Sequence, residues 1–213
     1  MNCTNDIKES NIVFDVIKKR RSVRRFDRRP IPKEIMEHIL EGARWAPSGA
    51  NVQPWRFIVV EKREMLEALG NICYYRIFKS RHVNEAGAAV VICADIEAGS
   101  ATYMLDCAIA GTNMTLMATS LGIGSCWIGA FEEPTVRGML RIPGKLKIIA
   151  LITFGYEVGK ASAPPRLPLS KIVHHDTYAG EPDLLSRIVK SGPFSVFGKL
   201  LRVLFNKRSW VFG

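Results

Sequence analysis

The sequence predicts an α+β or α/β layering of helices on a central sheet, and three observations point there. Apolar periodicity gives the order helix, helix, strand, helix, strand, helix, strand, helix, strand. The run Ala88 to Ala94, AAVVICA, is continuously apolar, as suits a strand covered on both faces. The stretch Ala101 to Leu121 is apolar or small almost all round, which predicts a helix buried on every side.

The elements follow from local signals. Val13, Val16 and Ile17 recur at helical spacing, and Pro32 opens a second helix whose apolar face is Met36, Ile39, Leu40 and Ala43 and which Pro47 ends. Trp55 to Glu61 reads as a strand and Lys62 to Leu69 as a short helix closed by Gly70. The strand Ala88–Ala94 and the helix Ala101–Leu121 come next, the latter capped by Gly122. Strands at Cys126–Phe131 and Leu146–Tyr156 flank a helix beginning near Glu132, and Pro164-Pro165 opens an extended stretch. No repeat interrupts the pattern, and composition changes only near Gly180. The reading is therefore one domain over 1–180 and a C-terminal extension over 181–213.

The 213 residues are 47% hydrophobic and 23% charged, enough for one sizeable core. The five cysteines are scattered and form no CxxC pair, so they read as reduced, mostly buried thiols with neither a disulfide framework nor a metal site. The N-terminus lacks the layout of a secretory signal, and Asp106 and Asn113 interrupt the longest apolar stretch, so a cytoplasmic protein without a spanning helix is expected. The net charge of +10 is concentrated. Lys18–Arg29 carries eight Lys/Arg against Asp27, and Asp183–Gly213 carries six against Asp183. A nucleic-acid footprint would be basic more widely, so the two segments ask for separate explanations.

Four stretches carry chemistry. Lys19–Phe26, KRRSVRRF, sets five cationic side chains and a serine at the end of a helix. Taken alone it reads equally as a solvated basic patch or a nucleic-acid tract. Ala46–Phe57, APSGANVQPWRF, offers Ser48, Asn51 and Gln53 on a loop framed by Pro47 and Pro54, and alone it reads as a polar connection. Gly122–Phe131, GIGSCWIGAF, delivers backbone amides at a glycine-rich strand entry, and Pro164–Tyr178, PPRLPLSKIVHHDTY, is the fourth. In this order, over about Val13 to Tyr178, the four resemble the nitroreductase family of flavoproteins, whose patterns begin RRSxRxF and APSxxNxQPWxF.

The resemblance implies a three-layer α/β/α sandwich of the α+β class, with a central mostly antiparallel sheet, in an intertwined homodimer with FMN at the subunit interface. A phosphate dianion wants guanidinium and hydroxyl partners, and a reduced flavin wants a cation near N1 and O2. Carried over residue by residue, Arg20, Arg21, Ser22 and Arg24 would line the phosphate, ribityl and pyrimidine side, and Arg166 would close on the phosphate. Pro47, Ser48, Gly49, Asn51 and Gln53 would reach the flavin from the other subunit. Trp127, Ile128 and Gly129 would lie against it, with the Gly129 amide donating near N5. The implied reaction moves hydride from NADH or NADPH through N5 to a nitroaromatic, quinone or similar small acceptor, one pocket serving both substrates in ping-pong fashion.

No separate nicotinamide-binding domain is expected: Gly122 and Gly124 are followed by Trp127 where GxGxxG needs a glycine, and they follow a helix. His174, His175 and Asp176 are adjacent on an extended segment and point to different faces, so no metal is expected. His82, with Lys79 and Arg81, reads either as part of the flavin and substrate mouth or as a solvated loop. Larger relatives insert a long helix where this chain has only about Ile96–Ser100, so the pocket should lack that wall. That lowers the narrower alternatives, reductive dehalogenation or flavin cleavage, which need lid groups. A non-catalytic flavin-binding or nucleic-acid-binding protein is the remaining alternative, but the aromatics are not interleaved as base stacking requires. In the tail, Phe194, Phe197, Leu201, Leu204 and Phe205 share one helical face, and Lys199, Arg202, Lys207 and Arg208 lie elsewhere. An arm wrapping the other subunit is the preferred reading, and a membrane surface or an acidic partner the alternative.

Overall fold

The computed structural model describes residues 11–75 and 78–178. In chain order it contains α1 (Ile12–Lys19), α2 (Lys33–Arg44), β1 (Trp55–Val60), α3 (Arg63–Ile72), β2 (Tyr74–Tyr75), β3 (Phe78–Lys79), β4 (Ala88–Asp95), α4 (Tyr103–Ser120), β5 (Gly124–Ile128), α5 (Glu133–Met139) and β6 (Leu146–Gly155). The chain divides into two units, 1–162 and 163–213. The described part of the second, 163–178, carries one 3-10 turn at Leu169–Lys171. Cys3 and the aromatic and basic positions expected on the 181–213 extension lie outside the described residues.

Alternation along β4 sets the layers of the first unit. All eight of its residues are buried. Side chains of a strand point to opposite faces in turn, so Ala88, Val90, Ile92 and Ala94 pack with Met36, Ile39 and Ala43 of α2 and Cys107, Ala110, Met114 and Ala118 of α4. Ala89, Val91 and Cys93 pack on the other face with Leu66 and Leu69 of α3 and Val136 of α5. Each fully buried Ile, Leu or Met here contributes about 1.5–3 kcal/mol. The result is a three-layer α/β/α sandwich. Its sheet runs β1-β4-β6-β5 with every neighbouring pair antiparallel.

The helix ends follow local chemistry. The Asn11 side chain accepts the Phe14 amide at 3.2 Å to cap α1, and Lys18 and Lys19 complement its C-terminal dipole. Gly122, at φ 74°, takes the left-handed position just past α4 as expected. Gly70 does not close α3, which continues to Ile72. Its lack of a side chain serves packing instead: a Cβ there would fall 1.5 Å from Asn84 Oδ1.

Within one chain α4 is not buried on every side. Asp106, Cys107, Ala110, Gly111, Met114, Thr115 and Ala118 face the core, whereas Met104 and Ile109 are exposed and Leu105 is 65% exposed. The apolar face of α1 is exposed too, with Ile12 at 77% and Val13, Phe14 and Ile17 likewise uncovered. Among the described residues no helix is long and apolar enough to cross a membrane.

Candidate functional site

The arginine segment leaves α1 at Arg20, whose amide still bonds Val16 O at 2.9 Å, and then runs beside the end of the sheet. Ser22 forms a parallel bridge with Ser125 on β5, the Val23 amide bonds Ser125 O at 2.9 Å, and Phe26 bridges Glu157. Val23 and Phe26 are the buried anchors, clustered with Ala86. Two glycines make room for them. A Cβ on Gly124 would lie 2.9 Å from Val23, and one on Gly155 would lie 2.7 Å from Phe26. The motif thus alternates anchor and display: Ser22, Arg24 and Arg25 stay exposed while Val23 and Phe26 are held down. Arg21 turns its guanidinium back to the carbonyls of Lys18 and Arg20.

The second predicted group lies on the loop before β1. Ala50, Asn51 and Gln53 all have positive φ, at 48°, 57° and 51°. A left-handed conformation costs a residue with a Cβ roughly 1–2 kcal/mol, and such strain persists only where surrounding contacts impose it. The contacts are present. The amides of Asn51 and Val52 bond the carbonyls of Ser48 and Gly49 at 3.0 Å each, and the Gln53 amide bonds Ser48 Oγ at 3.0 Å. The Gly49 amide reaches Asp106 Oδ1 at 3.2 Å. Pro47, Asn51 and Gln53 are exposed at this strained turn and Ser48 is half-buried.

The third group follows β5. Ile128 is buried, Gly129 is exposed, and a Cβ on Gly129 would meet nothing within 4 Å. The chain is pinned just beyond, where the Tyr74 amide bonds Ala130 O at 2.8 Å and Glu132 bonds Ile72 O at 3.0 Å. The Trp127 ring fits a notch at Gly111 of α4, whose Cβ would lie 2.4 Å from the indole. The backbone amide of Gly129 is therefore carried on a segment held at both ends.

Two buried polar atoms beside these groups have no hydrogen-bond partner among the described residues: Ser125 Oγ, on a residue 2% exposed, and His82 Nε2, on a residue 9% exposed. His82 belongs to a 3-10 turn that lies along the arginine segment, for the Arg28 amide bonds Glu85 O at 3.1 Å. Burial, aided by the Arg24 charge, pushes the His82 imidazole down to about 4. It is a buried neutral histidine, not part of a solvated loop. Burial pushes Cys73 and Cys107 up to about 12 and Cys93 to about 11, so these thiols are inert packing groups. Cys126 is raised by burial as well, with Arg24 and Arg20 pulling the other way.

The structure therefore brings Arg20, Arg21, Ser22 and Arg24 together with β5, but not with the loop at 47–53. β1 and β5 are opposite edges of the sheet, three strand spacings or roughly 14 Å apart. The loop also enters at the end of β1 where Trp55 pairs with Ala94, whereas the arginine segment lies near the opposite end, where Gly124 pairs with Gly155. Arg166 falls in the second unit, where its guanidinium approaches the Pro164 carbonyl at 3.4 Å. In that unit the His174 ring stacks at a tilt on Tyr178 with centroids 4.4 Å apart. Among the described residues no three His, Cys, Asp or Glu side chains converge as metal ligands would.

These residues fit a phosphorylated flavin. Guanidiniums and a hydroxyl suit a phosphate, two orphaned buried polar atoms await a partner, and the open face at Gly129 admits a flat ring. Sequence reasoning missed Ser125 as a polar group and Asp106 as a loop anchor. The one legible signal for Asp106 was a lone acid in an otherwise apolar helix.

Comparison with known proteins agrees with the fold. The model of the Nitroreductase family matches residues 17–156. A protein of Methanothermobacter thermautotrophicus named as an NADH dehydrogenase/NAD(P)H nitroreductase is 37% identical over 150 residues, 68% of this chain and 76% of that protein. An FMN reductase (NADPH) of Bacillus subtilis is 26% identical over 194 residues, 79% of this chain and 75% of that one. Among solved structures, an FMN-dependent nitroreductase from Clostridium difficile R20291 superposes with a TM-score of 0.70 at 30% identity, covering 78% of this chain and 99% of that chain. With the family model matched over most of its first unit, on the same layered fold, the chain belongs to the nitroreductase family.

Proposed function

We propose that this chain is an FMN-dependent NAD(P)H oxidoreductase acting on a nitroaromatic, quinone or similar small acceptor, with each flavin site completed by a second copy of the chain. The observation that carries the reading is the division of the site. The arginine segment and the strained amide loop sit at opposite edges and opposite ends of one sheet, so a single ligand meets both only if two chains contribute. The exposed apolar faces of α1 and α4 supply a surface for that pairing. Relatives named FMN reductase and FMN-dependent nitroreductase support the choice of cofactor.

Flavin mononucleotide, bound there, would supply two-electron redox chemistry between a reduced nicotinamide and the acceptor, with both substrates using one pocket. The protein's part is to bind and orient. Arg20, Arg21, Ser22 and Arg24 would hold the anionic end and the pyrimidine side. Gly129 offers its amide where no side chain interferes, with Trp127 and Ile128 fixing its position. Pro47, Ser48, Gly49, Asn51 and Gln53 of a second copy close the ring from the far side. The connection from β4 to α4 spans only Ile96–Thr102, too short for a long lid helix, which supports broad acceptor choice.

The test is an absorbance spectrum of the purified protein before and after anaerobic NADH or NADPH, then a nitroaromatic or quinone, with light-scattering mass in parallel. Flavin bands that bleach and return, on a dimer, with parallel double-reciprocal lines at varied donor and acceptor, support the proposal. A colourless protein that does not take up added FMN overturns it.

A further inference from the structure

Asp106 is a buried carboxylate that the proposed chemistry does not use. It lies in the first turn of α4 and is 3% exposed, a position where an acid without hydrogen bonds is costly. Its surroundings supply donors from two directions. Oδ2 accepts the Ser100 hydroxyl at 2.6 Å, and the Thr102 hydroxyl lies 3.2 and 3.3 Å from the two oxygens. Oδ1 accepts the Gly49 amide at 3.2 Å. A carboxylate, with two acceptor oxygens and no donor, matches this set, whereas an amide would set an NH2 group against one of the donors.

One carboxylate therefore joins the short β4–α4 connection to the loop that carries Ser48, Asn51 and Gln53. The approach is close enough to require the glycine, since a Cβ on Gly49 would lie 2.7 Å from Thr102 Oγ1. The bonds from Asn51, Val52 and Gln53 to Ser48 and Gly49 shape the turn from within. The Gly49 bond to Asp106 ties that turn to the helix layer. Three left-handed residues need such an outside tie, because the relaxed loop would leave that conformation.

We propose that Asp106 is a positioning residue for cofactor binding in trans: by holding Gly49 it keeps residues 48–53 in their strained conformation, and through that loop it sets flavin retention on the arginine segment of a second copy. The inference rests on the two-chain flavin site proposed above. Asp106 touches neither cofactor nor substrate.

The experiment uses the full chain in four forms: wild type, Asp106→Ala, Arg24→Ala, and the mixed dimer of the two variants isolated through distinct affinity tags. Flavin content is read by absorbance, FMN affinity by fluorescence titration, and fold by the thermal melt. Asp106→Ala is expected to weaken FMN about tenfold or more. In the mixed dimer one site carries both defects and the other neither, so about half the wild-type flavin is retained. Adding Ala50→Gly to Asp106→Ala makes the left-handed conformation inexpensive and restores part of the affinity. A mixed dimer that holds no flavin, or Asp106→Ala with wild-type affinity, overturns the proposal. Unchanged flavin in Arg24→Ala overturns the flavin site itself, a separate outcome. If the alanine variant fails to fold, Asp106→Asn keeps the volume and one acceptor and carries the same mixed-dimer test.

Discussion

Helical glycines give the sharpest check on the packing argument, because one substitution should change sign with its surroundings. Replacing glycine with alanine in a helix gains about 1 kcal/mol from propensity and a less flexible unfolded chain. At Gly138 of α5 a Cβ would meet nothing, so Gly138→Ala should stabilise by about 0.5–1 kcal/mol, less than the full gain so near the helix end. At Gly111 the new Cβ would lie 2.4 and 2.6 Å from the Trp127 ring and 2.8 Å from Ile92 Cδ1, both on strands of the packed sheet. Ile92 is fully buried and Trp127 half-buried against the core, and overpacking costs about 1–3 kcal/mol. The clash exceeds the propensity gain, so Gly111→Ala should lose about 1–2 kcal/mol. Urea midpoints at unchanged slope measure both. Displacing Trp127 should also shift the strand end bearing Gly129 and weaken FMN several-fold. If Gly111→Ala proves as stable as Gly138→Ala, the notch is not tight and the link from α4 to the flavin face fails.

Arg24→Ala should lower FMN retention sharply, and Asn51→Ala should lower it from across the interface. Fluorescence titration reads both, and unchanged affinity in the pair removes the site assignment. Leu105→Glu places a charge on the exposed apolar face of α4 and should give a flavin-poor monomer by light scattering. A flavin-loaded dimer would exclude that face from the interface. His82 stays neutral in the fold down to about pH 4 but takes a proton near 6.5 when unfolded. Stability from this group is therefore complete above pH 6.5 and falls by about 1.4 kcal/mol per unit as pH drops from 6.5 towards 4. His82→Gln should flatten the difference in urea midpoint between pH 7 and pH 5, and an unchanged slope would place the titration elsewhere.

Much of the layered fold is readable because β4 is apolar at every position, and a strand with that pattern has to be covered on both sides. Gly122 is legible for an equally local reason, since a helix end in the left-handed region favours glycine. Val23 and Phe26 are half legible. The family pattern specifies Phe26 and leaves Val23 open, and the reason for their spacing is the pair of gaps at Gly124 and Gly155, which lie a hundred or more residues away. Gly70 misled for the same cause: its clash is with Asn84, which local pattern does not place beside it. Propensity and periodicity report the chain's nearest neighbours. Close approach between distant segments leaves no local trace.

Residue types and their order were thus sufficient for the main helices and the four strands of the larger sheet, though not for the short pair β2–β3, and for the family resemblance that supplies the candidate flavin residues, because those depend on short-range periodicity and local motifs. Tertiary structure alone set the rest. It separated the arginine segment from the amide loop by the width of the sheet, left α1 and the outer face of α4 uncovered, and brought Asp106 under Gly49 across 57 positions of sequence. The physical reason is that strand order and the docking of α4 fix distances between segments, and a buried carboxylate finds its donors only once those distances exist.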